Sequence, residues 1–208
     1  MIGGAQYLKE LDYTARMTGE PYLYFETKVV AKLMQDKIEK EKMVDMIKKE
    51  NLFQYKTKKS IDKIFNAVYK RLCVLDEYLL NIVANYNSQE SKIIVLYGLM
   101  KTNRLFFEFM NEVFREKINE RSYKLNKSDI MAFFDSKREQ SEKVAKWHDY
   151  TLNKLSQVFT KTLLEAGLIN NKVEKRIVIP SIDKGLIDHF IEIGDAAYIK
   201  AMMGDMII

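Results

Sequence analysis

The sequence has few of the residues that form disulfides, metal sites and irregular linkers. Among its 208 residues are one cysteine, two histidines and two prolines. One cysteine excludes an internal disulfide, and two distant histidines do not supply the clustered ligands of a zinc site. Cys73 lies within an apolar helical pattern, and we expect its thiol to be buried. No metal or cofactor is predicted.

Long hydrophobic runs are also missing. The longest, Ile93–Met100, has eight residues, whereas a membrane-spanning helix needs about 20. The first ten residues lack the charged start and continuous apolar core of a signal peptide. We therefore expect a cytoplasmic protein with no membrane span.

Motifs of catalysis are absent or weak. The sequence contains no glycine-rich phosphate loop, and neither histidine has an evident nucleophile partner. Glu26-Thr-Lys28 and Glu90-Ser-Lys92, with Asp12 and Asp76 upstream, match a nuclease pattern. Both matches lie in helical sequence, however, whereas nucleases of that type hold these groups on strands around a metal ion. We predict that the protein is not an enzyme.

The apolar residues that are present recur at intervals of three and four along nearly the whole chain, which predicts a mainly helical, all-α fold. The repeat from Ile61 to Val83 fits one long helix or two helices separated near residues 73–76. Polar residues 120–127 then interrupt the apolar pattern. We accordingly predict two domains, a helical bundle over residues 1–122 and a second domain over residues 123–208.

The second domain contains the most informative helix, in the stretch KWHDYTLNKLSQVFTKTLLEAGLI at residues 146–169. Its apolar side chains fall on one face and its amides and lysines on the other, and Gly167 is placed to end it. Two shorter helices are predicted before it, and residues 173–179 favour a small β-hairpin after it. Three helices followed by a hairpin is the order of a winged helix-turn-helix domain.

Positive charge is unevenly distributed. The formal net charge is +5, and residues 121–180 contain 12 basic against 7 acidic side chains. A second concentration lies at residues 48–71, where eight basic residues are opposed by two acidic ones. Two such regions could bind one polyanion. The alternative is that these lysine-rich helix surfaces are simply solvated.

If the second domain is a winged helix, its third helix would lie in the major groove of DNA while the hairpin contacts phosphates. Amides can pair with adenine, and lysine can contact guanine or phosphate. The predicted DNA-binding residues are Lys56, Lys58, Lys59, Lys63, Lys143, Lys146, Tyr150, Asn153, Lys154, Gln157, Lys161, Lys172, Lys175 and Arg176.

Four strings, in the same order and at similar spacing, resemble the BrxA family of the bacteriophage-exclusion (BREX) defence systems. They are Tyr13-Thr-Ala-Arg-Met-Thr-Gly-Glu-Pro21, Glu50-Asn-Leu-Phe-Gln-Tyr55, Met100-Lys-Thr-Asn-Arg-Leu-Phe-Phe-Glu-Phe-Met110 and Lys137-Arg-Glu-Gln-Ser-Glu-Lys-Val-Ala-Lys-Trp147. The resemblance spans almost the whole chain. It implies a non-enzymatic component of a phage-defence system, with a NusB-like helical fold in its first part, double-stranded DNA binding as its activity and other BREX proteins as partners.

A function of another class stays open. The same helices could scaffold larger defence enzymes as a protein-interaction adaptor, with Trp147 and Tyr150 as anchors in a partner's pocket. The apolar end, Met202–Ile208, could pack on the body of the protein, on a second copy or on a partner. The sequence does not choose between these uses.

Overall fold

The computed structural model describes residues 11–205, and this part of the chain is mainly helical. Its α-helices are α1 (Tyr24–Gln35), α2 (Lys40–Glu50), α3 (Ile61–Leu72), α4 (Glu77–Asn85), α5 (Gln89–Thr102), α6 (Arg104–Phe109), α7 (Arg115–Asn119), α8 (Lys127–Gln140), α9 (Glu142–Ala145), α10 (Asp149–Glu165), α11 (Lys184–Glu192) and α12 (Ala196–Met203). A π-helical turn, Met110–Phe114, joins α6 to α7, and short 3₁₀ helices lie at Arg16–Thr18 and Lys58–Ser60. None of the helices in the described range is long and apolar enough to cross a membrane. The N-terminal stretch and the last three residues of the predicted apolar end lie outside that range.

The chain forms two compact units, one of residues 22–99 and the other of the residues before 22 together with those from 100 onward. This division differs from the predicted domain boundary after residue 122. The difference arises because the π-helical turn packs against α8 and α12, so the helical run before residue 122 shares a core with the C-terminal helices.

In the 22–99 unit, α1 packs against α3 and α4. The apolar repeat predicted as one helix or two is two helices, with Asp76 accepting a hydrogen bond from the Leu79 amide at the start of α4. In the last turn of α3, the buried Arg71 guanidinium donates to the Tyr22 carbonyl oxygen at 3.3 Å. A buried guanidinium needs such an acceptor, since an unpaired one would be costly.

In the other unit, Phe159 in the middle of α10 forms a cluster with four buried phenylalanines from other helices. The ring of Phe159 lies 5.0 Å from both Phe106 and Phe109 and 5.5 Å from Phe134, and Phe133 lies 5.6 Å from Phe109. Aromatic pairs at these distances contribute about 0.5–1.5 kcal/mol each beyond their buried area. Because the cluster holds Phe159 in the core, the opposite, polar face of α10 points to solvent.

The predicted β-hairpin is not observed among the described residues. Residues 168–170, 176–178 and 123–125 run beside one another, but they form only isolated antiparallel bridges, Ile169 with Ile177 and Lys124 with Arg176. The chain between them turns through Lys175, whose φ is 51°. The β-branched residues of 173–179 therefore do not form a ladder, because each segment shares too few backbone hydrogen bonds with its neighbour.

The prediction of a buried Cys73 is wrong, since the thiol is exposed. Helix α3 ends at Leu72, and Cys73 is the residue that follows it. An apolar repeat defines a buried face only while the helix continues, so the residue after the last turn leaves that face.

Candidate nucleic-acid interface

The polar face of α10 is set by local sequence and by packing. Asp149 lies in the first turn, where a carboxylate favours the positive end of the helix dipole, and Gly167, with φ 77°, lets the chain leave the helix in the left-handed conformation. The predicted apolar face, Leu152 to Ala166, is fully buried, whereas Lys154, Gln157 and Lys161 are exposed. The prediction of an amphipathic helix here is confirmed.

A cleft of about 430 Å³ lies along this face of α10. We call it the lysine cleft, because five of its nine lining residues are lysines and none is acidic. It is lined by Lys127, Lys154, Ser156, Gln157, Val158, Thr160, Lys161, Lys172 and Lys175. A cleft of one charge concentrates the potential that attracts a polyanion.

Most of these lysines are not neutralised. Lys161 pairs with Glu165 on the next turn of α10 at 3.5 Å, a surface pair of small net value. Among the described residues, no carboxylate lies within ion-pairing distance of Lys127, Lys154, Lys172 or Lys175. The cleft thus presents several positive charges to solvent.

Residues 170–176 form a loop, which we call the 170–176 loop. Its Lys172 and Lys175 side chains form one side of the cleft. Its acidic residue, Glu174, accepts hydrogen bonds from the side-chain amides of Asn170 at 2.6 Å and Asn171 at 3.3 Å. Because that carboxylate is held by amides, it forms no ion pair with Lys172 or Lys175. The loop keeps its lysines available.

Five of the predicted DNA-binding residues therefore meet at one site: Lys154, Gln157, Lys161, Lys172 and Lys175. Arg176 is exposed in a neighbouring recess, which Lys124 also lines. Lys127, which was not among the predicted residues, reaches the cleft from the first position of α8. The residues around Lys127 do not indicate that it lines a cleft with α10. Only the packing of α8 against α10 places it there.

Other predicted residues on or near α10 lie outside the cleft lining. Tyr150 is 80% exposed in the first turn, and Lys146 is exposed just before the helix. The Asn153 amide donates to the Asp149 carbonyl oxygen of its own helix at 3.0 Å, which uses one of its donors. Lys143 pairs with Asp12 at 3.0 Å. These four residues are not part of the concentrated charge.

The remaining predicted residues, Lys56, Lys58, Lys59 and Lys63, belong to the 22–99 unit. All four are exposed around the 3₁₀ helix at Lys58–Ser60 and the first turn of α3. They form a basic stretch on that unit, and none of them lines the lysine cleft. The nearby Lys48 is paired with Asp62 at 2.6 Å.

A second cluster of charged groups has the opposite character. Lys137, only 2% exposed, contacts the carboxylates of Glu108 at 2.7 Å and Glu112 at 2.6 Å, and Glu108 also accepts from Tyr13 at 2.8 Å and Arg104 at 2.7 Å. We call these five residues the Glu108 cluster. Burial favours a raised pKa of the Glu108 carboxyl, but the hydrogen bonds from Lys137, Arg104 and Tyr13 outweigh it and lower that pKa. Burial and the bond to Glu108 raise the pKa of Tyr13 to about 12.

The nuclease-like matches lie on helices, as predicted: Glu26-Thr-Lys28 in α1 and Glu90-Ser-Lys92 in α5. The Glu26 carboxylate accepts a hydrogen bond from the Tyr55 hydroxyl at 2.7 Å. Among residues 11–205, histidine, cysteine and carboxylate side chains do not assemble into a group that could hold a metal ion.

Comparisons with known proteins agree with this arrangement of elements. The crystal structure of an uncharacterized protein from Magnetospirillum magneticum has the same fold, with a TM-score of 0.78 over 92% of this chain and 98% of that one, at 20% sequence identity. The BREX protein BrxA of Bacillus cereus (strain H3081.97) is 38% identical over 199 residues, which cover 95% of this chain and all of that protein. The BrxA family model matches residues 11–194. The chain therefore belongs to the BrxA family.

Proposed function

We propose that the chain is a cytoplasmic, non-enzymatic component of a BREX-type anti-phage defence system, and that it binds double-stranded DNA through the lysine cleft. The observation that supports this most is the group of unpaired lysines that α8, α10 and the 170–176 loop bring to one cleft. The defence role rests on the BrxA relative, which is a BREX protein.

Duplex DNA fits this cleft by charge. Its phosphates provide a line of negative charge, and lysines that replace condensed counterions supply the sequence-independent part of binding. Helix α10 would lie in the major groove, with Gln157 near base edges and the lysines near phosphates, namely Lys127, Lys154, Lys161, Lys172 and Lys175.

The proposal includes a winged helix-like arrangement of residues 123–208. Helices α8, α9 and α10 occur in the required order, and the loop after them is joined to the 123–125 segment by hydrogen bonds from Leu125 to Lys175 at 3.1 Å and from Ile177 to Tyr123 at 2.9 Å. The NusB-like fold proposed for the first part of the chain rests on the family resemblance.

The test is fluorescence anisotropy with a labelled duplex of about 30 base pairs, measured across a salt series. The test variant is Lys154→Gln/Lys172→Gln/Lys175→Gln, which removes three unpaired cleft charges. Its matched control, Lys32→Gln/Lys37→Gln/Lys184→Gln, removes three exposed lysines from outside both basic regions.

We expect the test variant to lose affinity by on the order of 10²- to 10³-fold at 0.1 M salt and its salt slope to fall by about 3, since each phosphate contact contributes nearly one unit. The control should change the slope by less than about 1. Absence of binding by folded wild type at low salt would overturn the DNA-binding proposal.

One observation favours the adaptor function as a second candidate. Tyr150 is 80% exposed on the first turn of α10, and a large exposed aromatic side chain is a typical anchor of a protein interface. If wild type fails to bind duplex but co-purifies with another BREX protein, and Tyr150→Ala abolishes that association, the adaptor function replaces DNA binding.

A further inference from the structure

The 170–176 loop is held in one shape by its two asparagines. The Asn170 side-chain oxygen accepts from the backbone amides of Asn171 at 2.7 Å and Arg176 at 2.9 Å. The Asn171 side-chain oxygen accepts from the amides of Val173 at 2.9 Å and Glu174 at 2.8 Å. These bonds satisfy four of the backbone donors of the turn within the loop. The loop can therefore meet a partner without first losing conformational freedom.

An apolar side chain stands at the tip of this fixed loop. Val173 is 89% exposed, and the cleft-lining Lys172 and Lys175 lie on either side of it in the chain. A single exposed valine is common on protein surfaces and needs no explanation by itself. Here the Val173 amide donates to the Asn171 side-chain oxygen, and Val173 itself does not line the cleft. Because its neighbours Lys172 and Lys175 do line it, a polyanion larger than the cleft would extend past the loop toward Val173.

The layout of the cleft determines where that approach would occur, given the proposed function. Helix α10 lines it with Lys154, Gln157 and Lys161, and the loop lines it with Lys172 and Lys175. If one sugar–phosphate strand lies between these lysines, helix and loop stand on opposite sides of that strand. The two sides of a strand are the two grooves of the duplex. A helix about 10–12 Å across fits the major groove of about 12 Å but not the minor groove of about 6 Å, so the loop is left for the minor groove.

We propose that Val173 is an apolar contact to the minor groove of double-stranded DNA, presented by the 170–176 loop between two phosphate-binding lysines. The inference rests on the proposed function and adds to it a second kind of contact. Apolar side chains that enter the minor groove pack on sugars and base edges, and the energy of such a contact comes from buried area and not from charge.

This difference in origin provides the test. In the anisotropy assay, Val173→Ser should weaken binding by roughly tenfold, the effect expected from burying a valine side chain, while the salt slope stays at the wild-type value. The matched variant Lys172→Gln should instead lower the salt slope by about one unit. Since Val173 is exposed at a loop tip, the melting temperature of the Val173→Ser variant should equal that of wild type.

A second duplex, in which inosine replaces guanine, identifies the groove. Inosine lacks the minor-groove amino group and keeps the major-groove acceptors of guanine. Wild type should bind this duplex more tightly than the guanine duplex, and Val173→Ser should lose most of that gain.

Three outcomes decide between the proposals. If wild type binds, Lys172→Gln lowers the slope and Val173→Ser binds like wild type, then the minor-groove contact is overturned and DNA binding stands. If Val173→Ser weakens binding but gains as much as wild type from inosine, Val173 touches DNA outside the minor groove and the proposal fails. If folded wild type binds neither duplex, the proposed function itself has failed.

Discussion

The Glu108 cluster and the lysine cleft, which lie in the same unit, differ in how the positive charge of lysine is used. In the Glu108 cluster, Lys137 is buried and contacts two carboxylates, so its charge is neutralised inside the protein. In the lysine cleft, Lys154, Lys172 and Lys175 have no carboxylate partner among the described residues. A count of lysines in the sequence therefore overestimates the positive charge that a ligand can meet.

The comparison also separates stability from binding. Breaking a buried ion pair leaves a charge without a partner in a poorly solvated place, which costs stability. Removing an unpaired surface lysine leaves the fold unchanged and affects only a ligand. Variants of the two groups should therefore give different kinds of effect.

The largest effect on stability is expected from Glu108→Ala. The substitution leaves Lys137 with Glu112 as its one carboxylate partner among the described residues and removes a carboxylate acceptor of Arg104 and Tyr13. We expect it to lower the free energy of unfolding by about 2–4 kcal/mol. Glu112→Ala is the matched control, because the Glu112 side chain is 42% exposed; it should cost less than about 1 kcal/mol. Urea unfolding measures both, and equal losses would contradict a special role for Glu108.

The contribution of the Glu108 cluster to the free energy of unfolding should also depend on pH, and this effect should be smaller. The pKa of Glu108 is lower in the folded protein than in the unfolded chain, so its stabilisation is complete above the unfolded pKa of about 4.3 and is lost as pH falls through the folded pKa. The difference in unfolding free energy between wild type and Glu108→Gln should be constant above pH 5 and shrink at more acidic pH. Urea unfolding across this pH series is the measurement, and a difference that is unchanged at pH 3 would argue against the lowered pKa.

Next in size is the contrast between a paired and an unpaired lysine on α10. Lys154→Gln should weaken DNA binding by roughly tenfold at 0.1 M salt, the contribution of one phosphate contact. Lys161→Gln should cost less, because Glu165 already offsets part of the Lys161 charge. Both are measured by anisotropy, and a larger loss for Lys161→Gln would show that ion pairing does not decide which lysines bind.

The smallest effect is expected from the basic stretch of the 22–99 unit. Lys56→Gln/Lys58→Gln/Lys59→Gln removes as many charges as the cleft triple variant, but from exposed residues that do not line the cleft. We expect a loss of only a few fold and a slope change well below the maximum of about 3, since scattered surface lysines make partial contacts. A loss equal to that of the cleft triple variant would extend the DNA footprint fully to this unit, and no change at all would exclude it.

Part of the candidate site could be predicted because helix geometry is local. The apolar side chains of α10, the end of that helix at Gly167 and the exposure of Lys154, Gln157 and Lys161 all follow from a 3.6-residue period and a glycine able to adopt positive φ. That Lys172 and Lys175 would lie beside α10 was expected only from the order of the helices and the predicted hairpin. The position of Lys127 was not expected at all.

Pairing between distant segments could not be predicted in the same way. Strand-forming residues at 173–179 indicate a hairpin only if the neighbouring segment continues the ladder, and residues 168–170 and 123–125 provide only isolated bridges. The partners of Lys137 and Lys143, which are Glu108, Glu112 and Asp12, likewise come from elements far apart in the chain.

The order of the helices, their buried faces and the family were available from the sequence alone, because periodicity, capping residues and short strings are properties of adjacent residues. Which lysines keep their charge for a ligand was decided only by tertiary structure. An ion pair depends on distances of a few ångströms between groups that folding brings together, and those distances neutralise Lys137 while they leave Lys154 exposed.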